Sequence, residues 1–341
     1  MRYLGLPLPP FAHNNLAFSP FYDHHLALAS GSNFGLVGNG RVHVVKMDQQ
    51  VAGGLGLVRS WDTADCVYDV AWSEIHENQI AAACGNGAIK LFDLALEGLP
   101  IQAWQEHKAE VTSIEWNNIE KALFVTGSWD QSVKVWNPSR QSSILTIPAH
   151  TGQIYSSTWS PHSPTIIATC ASDGFIRIWD TRTLPSPIQE IFPPSAAPNP
   201  MSSSSAGEIL SCDWNKYTPQ LLAFSSQDGG VSTVDLRYIS RNAEKMAVRL
   251  VGRHSLPARK VKWDPHNGTR LLSAGYDMTC RVWQTDLPPA APLRELFNHQ
   301  NHTEFVMAAD WALFDPGLVA SAGTPAAVAT NKYELSAAMA M

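Results

Sequence analysis

The chain has 341 residues, of which 16% are charged, and its net charge is −6 at pH 7 with no block of Lys and Arg. This charge balance argues against a nucleic-acid-binding surface. The sequence contains no apolar run long enough to cross a membrane, and prolines interrupt the first thirteen residues where a secretory signal would need a continuous apolar stretch.

Short β-branched runs separated by turns recur along the chain, and each run predicts a strand. They group into units of three runs, of which the unit His107 to Asn137 is the clearest. The second unit has Phe92 in place of the second Trp of the clearest unit, and the first unit is degenerate. In chain order the units cover residues 15–48, 67–93, 107–137, 150–180, 209–236, 254–283 and a last unit that begins at residue 302.

Four residue types recur in a fixed order with a period of 43 residues. The pairs are His107 and His150, Trp116 and Trp159, Asp130 and Asp173, and Trp136 and Trp179. A period near 43 with a Trp six residues after an Asp is the signature of a WD40 blade. The sequence therefore predicts an all-β fold, a seven-bladed WD40 β-propeller, as one domain over residues 1–341.

The recurring polar residues have a structural explanation. In a WD40 blade the turn Asp accepts a hydrogen bond from the His, which bonds a Ser or Thr that bonds the Trp, and a buried chain of this kind must be fully satisfied. For the first chain the hydroxyl is either Thr126 or Ser128, and the sequence leaves that open. The predicted chains are Asp130–His107–Trp136, Asp173–His150–Trp179 and Asp277–His254–Trp283.

The twelve His and five Cys also invite a metal-site interpretation. No CxxC or HxxxH spacing appears, however, and the His recur once per unit, so we expect structural histidines and neither a metal nor a cofactor. Each Cys falls in or beside a predicted strand. The odd number of cysteines favours small buried thiols in a reducing compartment over a disulfide framework.

Two segments break the period. Residues 193–207 are a Pro/Ser-rich insertion that we expect to be mobile, either a passive surface loop or a phosphorylatable segment at Ser202 to Ser205. After residue 323 the atypical tail 324–341 lacks the expected Asp turn and terminal Trp, which predicts an irregular or incomplete last blade. Either TNKYEL (330–335) forms a poor third strand with RYLGL (2–6) closing the ring, or the tail is natively altered or wrongly assigned coding sequence.

Several stretches are unusual for a propeller and are familiar as a set. They are NFGLVGNGRV (33–42), AWSEIHENQI (71–80), GSWDQSVKVWN (127–137), DWNKY (213–217), SAGYDMTCRVW (273–283) and HTEFVMAADW (302–311). In this order the set resembles the peroxin-7 family, the soluble receptors for the type 2 peroxisomal targeting signal. The resemblance runs from about residue 15 to residue 323.

The resemblance implies partners and a location. Receptors of this family bind an N-terminal nonapeptide of peroxisomal matrix proteins, basic at one end and finishing with His or Gln and an apolar residue. The peptide lies as an amphipathic helix across the top of the propeller. A co-receptor peroxin covers it, the complex meets docking peroxins at the peroxisomal membrane, and the receptor cycles between the cytoplasm and the peroxisome matrix.

Residues just before the first strand of each unit, or just before the turn Asp, are expected at the top of the propeller. Four are acidic, which suits a cationic helix, and three are aromatic, which suits its apolar side. Arg259 opposes this pattern and is expected to pair with Glu304 or with the co-receptor. The predicted peptide-binding residues are Asp65, Glu110, Glu208, Glu304, Trp129, Tyr276 and Phe305.

Two other classes of function fit the sequence less well. A generic WD40 scaffold, such as a substrate adaptor of a ubiquitin ligase or a chromatin subunit, would share the Asp–His–Trp chains but not the combination of NFGLVGNG, HENQI and HTEFVMAADW. An enzyme would need a nucleophile and base or a metal. No GxSxG, HExxH, P-loop or paired-carboxylate motif stands out, so no catalytic residues are predicted.

Overall fold

A computed structural model describes residues 3–7, 11–32, 38–48, 54–193, 207–238, 248–288, 292–323 and 327–332. Twenty-eight strands, β1 to β28, pair into seven four-stranded sheets, and all pairings within the sheets are antiparallel. The described residues contain no α-helix, only a 3-10 turn at Leu236–Tyr238. The prediction of an all-β chain is thus confirmed. No helix in the described part of the chain is long and apolar enough to span a membrane.

The strands occupy four equivalent positions in the sheets. The first, innermost strands are β2 (Ala12–Phe18), β6 (Val67–Trp72), β10 (Val111–Trp116), β14 (Ile154–Trp159), β18 (Ile209–Trp214), β22 (Ala258–Trp263) and β26 (Val306–Trp311). The second strands are β3 (His25–Gly31), β7 (Gln79–Cys84), β11 (Phe124–Ser128), β15 (Ile166–Ala171), β19 (Leu221–Ser226), β23 (Arg270–Gly275) and β27 (Leu318–Gly323).

The remaining strands complete the sheets towards the outside. The third strands are β4 (Gly40–Met47), β8 (Ala88–Asp93), β12 (Ser132–Trp136), β16 (Ile176–Asp180), β20 (Gly230–Asp235), β24 (Cys280–Gln284) and β28 (Ala327–Lys332). The outermost strands are β5 (Leu55–Thr63), β9 (Gln102–Gln105), β13 (Leu145–Pro148), β17 (Gln189–Ile191), β21 (Val248–Arg253), β25 (Arg294–His299) and β1 (Tyr3–Pro7).

The sheets follow one another around a closed ring. Each innermost strand contacts the innermost strand of the next sheet, and β26 contacts β2. A cluster of buried apolar side chains fills each of the seven interfaces between neighbouring sheets, for example around Trp104, Phe124 and Trp136 between the second and third sheets. The hydrophobic core is therefore distributed between the sheets, and a single sheet cannot bury its faces alone.

The innermost strands line a central channel, and carboxylates on its wall connect neighbouring strands. Glu115 Oε2 accepts a hydrogen bond from the backbone N–H of Trp159 in the next sheet at 2.5 Å, and Asp310 Oδ2 accepts one from Phe18 at 3.2 Å. Asp69 and Asp213 make the same kind of bond. The Asp310 bond joins the last innermost strand to the first, so polar contacts as well as apolar packing close the ring.

The last sheet combines both ends of the described chain. Its strands are ordered β26, β27, β28 and β1, and Tyr3 to Pro7 pair with Asn331 to Ala327. This sheet therefore has four strands like the others, and the expected incomplete last blade is not observed. Pairing with β1 supplies hydrogen-bond partners for the backbone groups at the edge of β28. The sequence RYLGL predicted this closure of the ring by segments from both ends. The tail residues 324–326 and 333–341 lie outside the described residues, as do residues 194–206 of the insertion.

The three predicted polar chains are present as hydrogen bonds. His107 Nδ1–H donates to Asp130 Oδ2 at 2.9 Å, and Thr126 donates to His107 Nε2 at 2.8 Å. Trp136 Nε1–H donates to the same Thr126 oxygen at 2.8 Å. Thr126, and not Ser128, is thus the hydroxyl member. The other chains run Asp173–His150–Thr169–Trp179 and Asp277–His254–Ser273–Trp283.

These bonds fix the protonation of both partners. An ionised carboxylate accepts only, so each His carries its proton on Nδ1. Burial raises the pKa of Asp130, but the hydrogen bonds from His107, Ser132 and the Lys108 backbone together outweigh it and hold that pKa below its usual range. The same holds for Asp173 and Asp277. The chains therefore anchor the turns that carry Asp130, Asp173 and Asp277.

The first sheet carries a variant of this chain that sequence analysis missed. His13 Nδ1 lies 2.8 Å from Ser30 Oγ, which lies 3.0 Å from Nδ1 of His43. His43 occupies the position of Trp136 in its own sheet. Trp136 follows Lys134, the pairing partner of Thr126, by two residues, and His43 follows Arg41, the pairing partner of Ser30, by two residues. In the last sheet His302 bonds Ser321 at 2.8 Å. All five cysteines are buried free thiols, as the sequence led us to expect.

We predict that Trp136→Ala lowers the free energy of unfolding by roughly 3–5 kcal/mol, because a large, fully buried aromatic side chain is lost. Trp129→Ala is the matched control, since Trp129 lies one residue before the turn Asp and is only partly buried. Denaturant titration monitored by circular dichroism measures both. Equal losses of stability for the two variants would contradict the assignment of Trp136 to the core.

We also predict that stability falls as the pH is lowered from about 6.5 to about 4. Burial lowers the pKa of His13 to about 3 and those of His43 and His302 to about 4. An unfolded His titrates near roughly 6.5, so below that pH the unfolded chain binds protons that the folded chain does not. Denaturant titrations at about pH 7.5 and about pH 5 measure the loss.

The double variant His13→Gln, His43→Gln is the control for this pH dependence. It should be less stable than the wild type at neutral pH but lose less stability on acidification, because two of the responsible imidazoles are absent. A pH dependence as steep as that of the wild type would assign the effect to other groups.

Candidate functional site

The upper end of the ring, where the innermost strands begin, is shaped by a β-bulge in each of those strands. The register shifts between Val67 and Asp69 in β6, for instance, and the extra residue is Tyr68. A bulge redirects its side chain out of the regular alternation. The bulge residues are Asn14, Tyr68, Thr112, Tyr155, Leu210, Arg259 and Met307.

Several bulge residues bridge neighbouring sheets. Asn14 Nδ2 donates to the Val67 carbonyl oxygen at 2.8 Å, and Thr112 Oγ1 donates to the Ile154 carbonyl oxygen at 2.6 Å. The hydroxyl of Tyr155 donates to Glu208 Oε2 at 2.8 Å. The upper rim is thereby held in place across sheet boundaries.

The structure brings two predicted residues together on one side of this rim. The backbone N–H of Trp129 donates to the carbonyl oxygen of Glu110 at 2.9 Å. The Trp129 ring lies 6.0 Å from the ring of Tyr68, measured between centroids. We call Asp65, Tyr68, Glu110 and Trp129 the acidic sector.

Asp65 and Tyr68 approach each other across Gly85. A Cβ atom at Gly85 would lie 3.1 Å from Asp65 Oδ1 and 3.2 Å from Tyr68 Cε2, so glycine makes room for both side chains. Burial raises the pKa of Tyr68 to about 12, and the nearby charges of Glu110 and Asp65 contribute to the increase. Two carboxylates thus act on one phenol, which fits a surface with negative potential.

Trp129 carries an unsatisfied donor. Its Nε1 atom is buried and has no acceptor among the described residues. A buried donor without a partner costs roughly 1–3 kcal/mol. The indole N–H is therefore a group that a bound ligand could satisfy.

Three other predicted residues, Glu208, Tyr276 and Phe305, lie across the rim with Tyr155 and Arg259, in a region that we call the aromatic sector. The rings of Tyr276 and Phe305 lie 5.1 Å apart, and 40% of Phe305 is exposed. Burial and the hydrogen bond to Glu208 raise the pKa of Tyr155 above its usual range. The nearby positive charge of Arg259 offsets this increase only in part. Glu304 is exposed, and within the described part of the chain no hydrogen bond or ion pair joins its side chain to either sector.

Two positions differ from those that the sequence suggested. Gly85 and Trp129 bond the carbonyl oxygens of Cys66 and Glu110, so Cys66, and not Asp65, occupies the position equivalent to Glu110. Arg259 was expected before its strand but is the bulge residue of β22, and its Nη1 atom donates to the Leu210 carbonyl oxygen at 3.3 Å. The expected pairing of Arg259 with Glu304 is not found among the described contacts.

Sequence reasoning missed Tyr68 and Tyr155. Each is the second residue of its innermost strand, in VYDVAW and IYSSTW, and alternation alone would assign such a residue an ordinary place in the sheet. The shared position of the two tyrosines is the signal that could have identified them. Among the described residues no group of three or more His, Cys, Asp or Glu is arranged to hold a metal ion.

Comparison with known proteins assigns both the fold and a family. The family model "WD domain, G-beta repeat" matches residues 98–137, 141–180 and 249–284, which confirms a WD40 β-propeller. The peroxisomal targeting signal 2 receptor of Saccharomyces cerevisiae is 34% identical, over 91% of this chain and 94% of the relative.

Mammalian relatives carry the same name. The peroxisomal targeting signal 2 receptor of Mus musculus is 36% identical, over 89% of this chain and 88% of the relative. That of Homo sapiens is also 36% identical, over 84% of this chain and 82% of the relative.

Proposed function

Because the chain belongs to the family of peroxisomal targeting signal 2 receptors, we propose that it binds the amino-terminal targeting signal of peroxisomal matrix proteins at its upper rim. In this proposal the seven sheets are the seven blades of one propeller. A co-receptor peroxin covers the bound signal, and docking peroxins receive the complex as the receptor cycles between the cytoplasm and the peroxisome matrix.

The acidic sector is the observation that carries this proposal. Asp65 and Glu110 lie beside the aromatic rings of Tyr68 and Trp129, and this combination suits a helix with cationic and apolar side chains. The basic end of the signal lies over the two carboxylates. Its apolar side chains then extend towards Tyr276 and Phe305 in the aromatic sector.

The bulges explain how a rigid ring presents this surface. Tyr68 and Tyr155 turn out of the alternation of their strands, and the Tyr155 hydroxyl is held by Glu208. Side chains that are fixed before binding lose less conformational entropy when the peptide arrives. Recognition by a preformed rim therefore needs no rearrangement of the sheets.

We predict that the double variant Asp65→Arg, Glu110→Arg loses binding of the cargo peptide while it keeps its fold. Removing one charge of an ion pair at the surface costs only about 0–1 kcal/mol of binding free energy. Charge reversal costs more, because the new Arg side chains repel the basic end of the peptide. The measurement is titration of a labelled peptide of the Arg-Leu-(five residues)-His-Leu type, with a scrambled peptide as control.

Circular dichroism serves as the control for folding, and added salt should weaken binding to the wild type because it screens the charges. Equal affinity of the two proteins for the peptide would remove the acidic sector from the mechanism. Binding would then depend on the apolar contacts of Trp129, Tyr276 and Phe305.

We predict opposite effects of Trp129→Phe on binding and stability. The variant removes the unpaired buried N–H, so the free energy of unfolding should stay unchanged or increase. If a carbonyl oxygen of the bound peptide accepts from Nε1, peptide affinity should fall by about tenfold or less. Reduced stability with unchanged affinity would contradict a role of the indole N–H in binding.

A further inference from the structure

The loops at the lower end of the ring, where the innermost strands finish, share one local device. The first loop residue accepts two backbone hydrogen bonds on its side-chain oxygen, which fixes the turn that follows. Ser73 Oγ accepts from Ile75 at 3.2 Å and from His76 at 3.1 Å. Ser19 does the same for Phe21 and Tyr22, and Asn117 for Ile119 and Glu120.

The third residue of these rigid loops is apolar and exposed in neighbouring sheets. The exposed fractions are 40% for Phe21, 47% for Ile75 and 44% for Ile119, in the first, second and third sheets. Phe314, in the corresponding loop of the last sheet, is 51% exposed. We call these four residues the lower arc. They lie in four consecutive sheets of the ring. Single exposed apolar residues are common on protein surfaces, but a row of them at equivalent positions is typical of an interaction surface.

A groove joins two members of the lower arc. It has a volume of about 360 Å³ and is lined by Phe21, Ile75, Glu77 and Asp93, among others. Tyr22 bridges its two walls, because its hydroxyl donates to Asn78 Oδ1 at 3.2 Å. The groove therefore lies across the boundary between the first and second sheets, and its lining is mostly polar, with Phe21 and Ile75 as its apolar members and Glu77 and Asp93 as its acidic ones.

The surroundings of the lower arc are predominantly acidic. Asp23, Glu77 and Glu120 are exposed beside Phe21, Ile75 and Ile119. Lys121 lies 3.8 Å from Glu74 and is partly neutralised by it. Lys46 is an exposed cation near the same edge, where its charge adds to burial in lowering the pKa of His25. The balance leaves a negative border around an apolar strip.

We propose that the lower arc docks a cationic amphipathic segment of a partner protein, with apolar side chains against Phe21 and Ile75 and Lys or Arg against the bordering carboxylates. A second copy of this chain would bring the same acidic border into contact with itself. An anionic membrane surface would be repelled in the same way. The lower arc lies at the end of the ring opposite the acidic sector, so this inference is independent of the cargo site.

The test uses the full chain with Asp65→Arg and Glu110→Arg, so that the upper rim does not attract a cationic probe. The probes are a labelled amphipathic helical peptide of Leu and Lys, and its counterpart in which Glu replaces Lys. The Leu/Lys peptide should bind and the Leu/Glu peptide should not. Phe21→Ser with Ile75→Ser should weaken binding by at least about tenfold.

Ile188→Ser is the matched control, because Ile188 is 50% exposed but lies directly before β17 of the fourth sheet, outside the lower arc. The variant Glu77→Lys, Glu120→Lys changes only exposed residues and should also weaken binding of the Leu/Lys peptide. It keeps the proposal testable if the serine variant fails to fold. Unchanged affinity in both double variants, or equal binding of the two peptides, would overturn the proposal.

Two further outcomes would assign a different binding partner to the lower arc. Sedimentation that showed self-association of the chain, abolished by Phe21→Ser with Ile75→Ser, would identify a second copy. Binding to lipid vesicles that depended on the same residues would identify a membrane surface. Either result would contradict docking of a cationic protein segment.

Discussion

Closure of the ring is the constraint on which the rest of the structure depends. Each sheet buries its faces only against its neighbours, so every interface needs a sheet on both sides. The two ends of the described chain supply the last sheet, where β1 pairs with β28. The bond from the Phe18 N–H to Asp310 fastens the same junction from the channel side. Both faces of the ring owe their rigidity to this closure.

The polar chains transmit that rigidity to the upper rim. Asp130 is fixed by His107, which is fixed in turn by Thr126 and Trp136 deep in the sheet. The residue before Asp130 is Trp129, which faces Tyr68 at the rim. A buried structural network thus positions a surface side chain.

Much of the fold follows from the sequence, because three strands of each sheet carry the repeating apolar pattern. The outermost strands do not carry it: β9 and β13 are short, and most of their side chains are exposed or only partly buried. They are defined by pairing with the third strand rather than by burial, so composition gave no signal for them. The outermost strand of the last sheet, β1, likewise depends on pairing with β28, a segment that is distant from it in the sequence.

The candidate site was predicted to within about one residue. Asp65 and Arg259 were misplaced because the start of a strand is set by pairing with its neighbour: β6 begins at Val67 and β22 at Ala258. Tyr68 and Tyr155 were missed because a bulge turns them out of the alternation that the sequence pattern predicts. The family resemblance, by contrast, is confirmed by relatives that match along about nine-tenths of the chain.

Photo-cross-linking tests the central claim most directly, namely that a cationic signal lies over the acidic sector. A cargo peptide with a photoreactive group beside its basic end is irradiated with the wild-type chain, and the cross-linked fragments are identified by mass spectrometry. We expect adducts at Tyr68 or Trp129, with none on the lower arc. Adducts concentrated at Tyr276 and Phe305 would reverse the orientation of the peptide, and adducts confined to Phe21 or Ile75 would contradict the account.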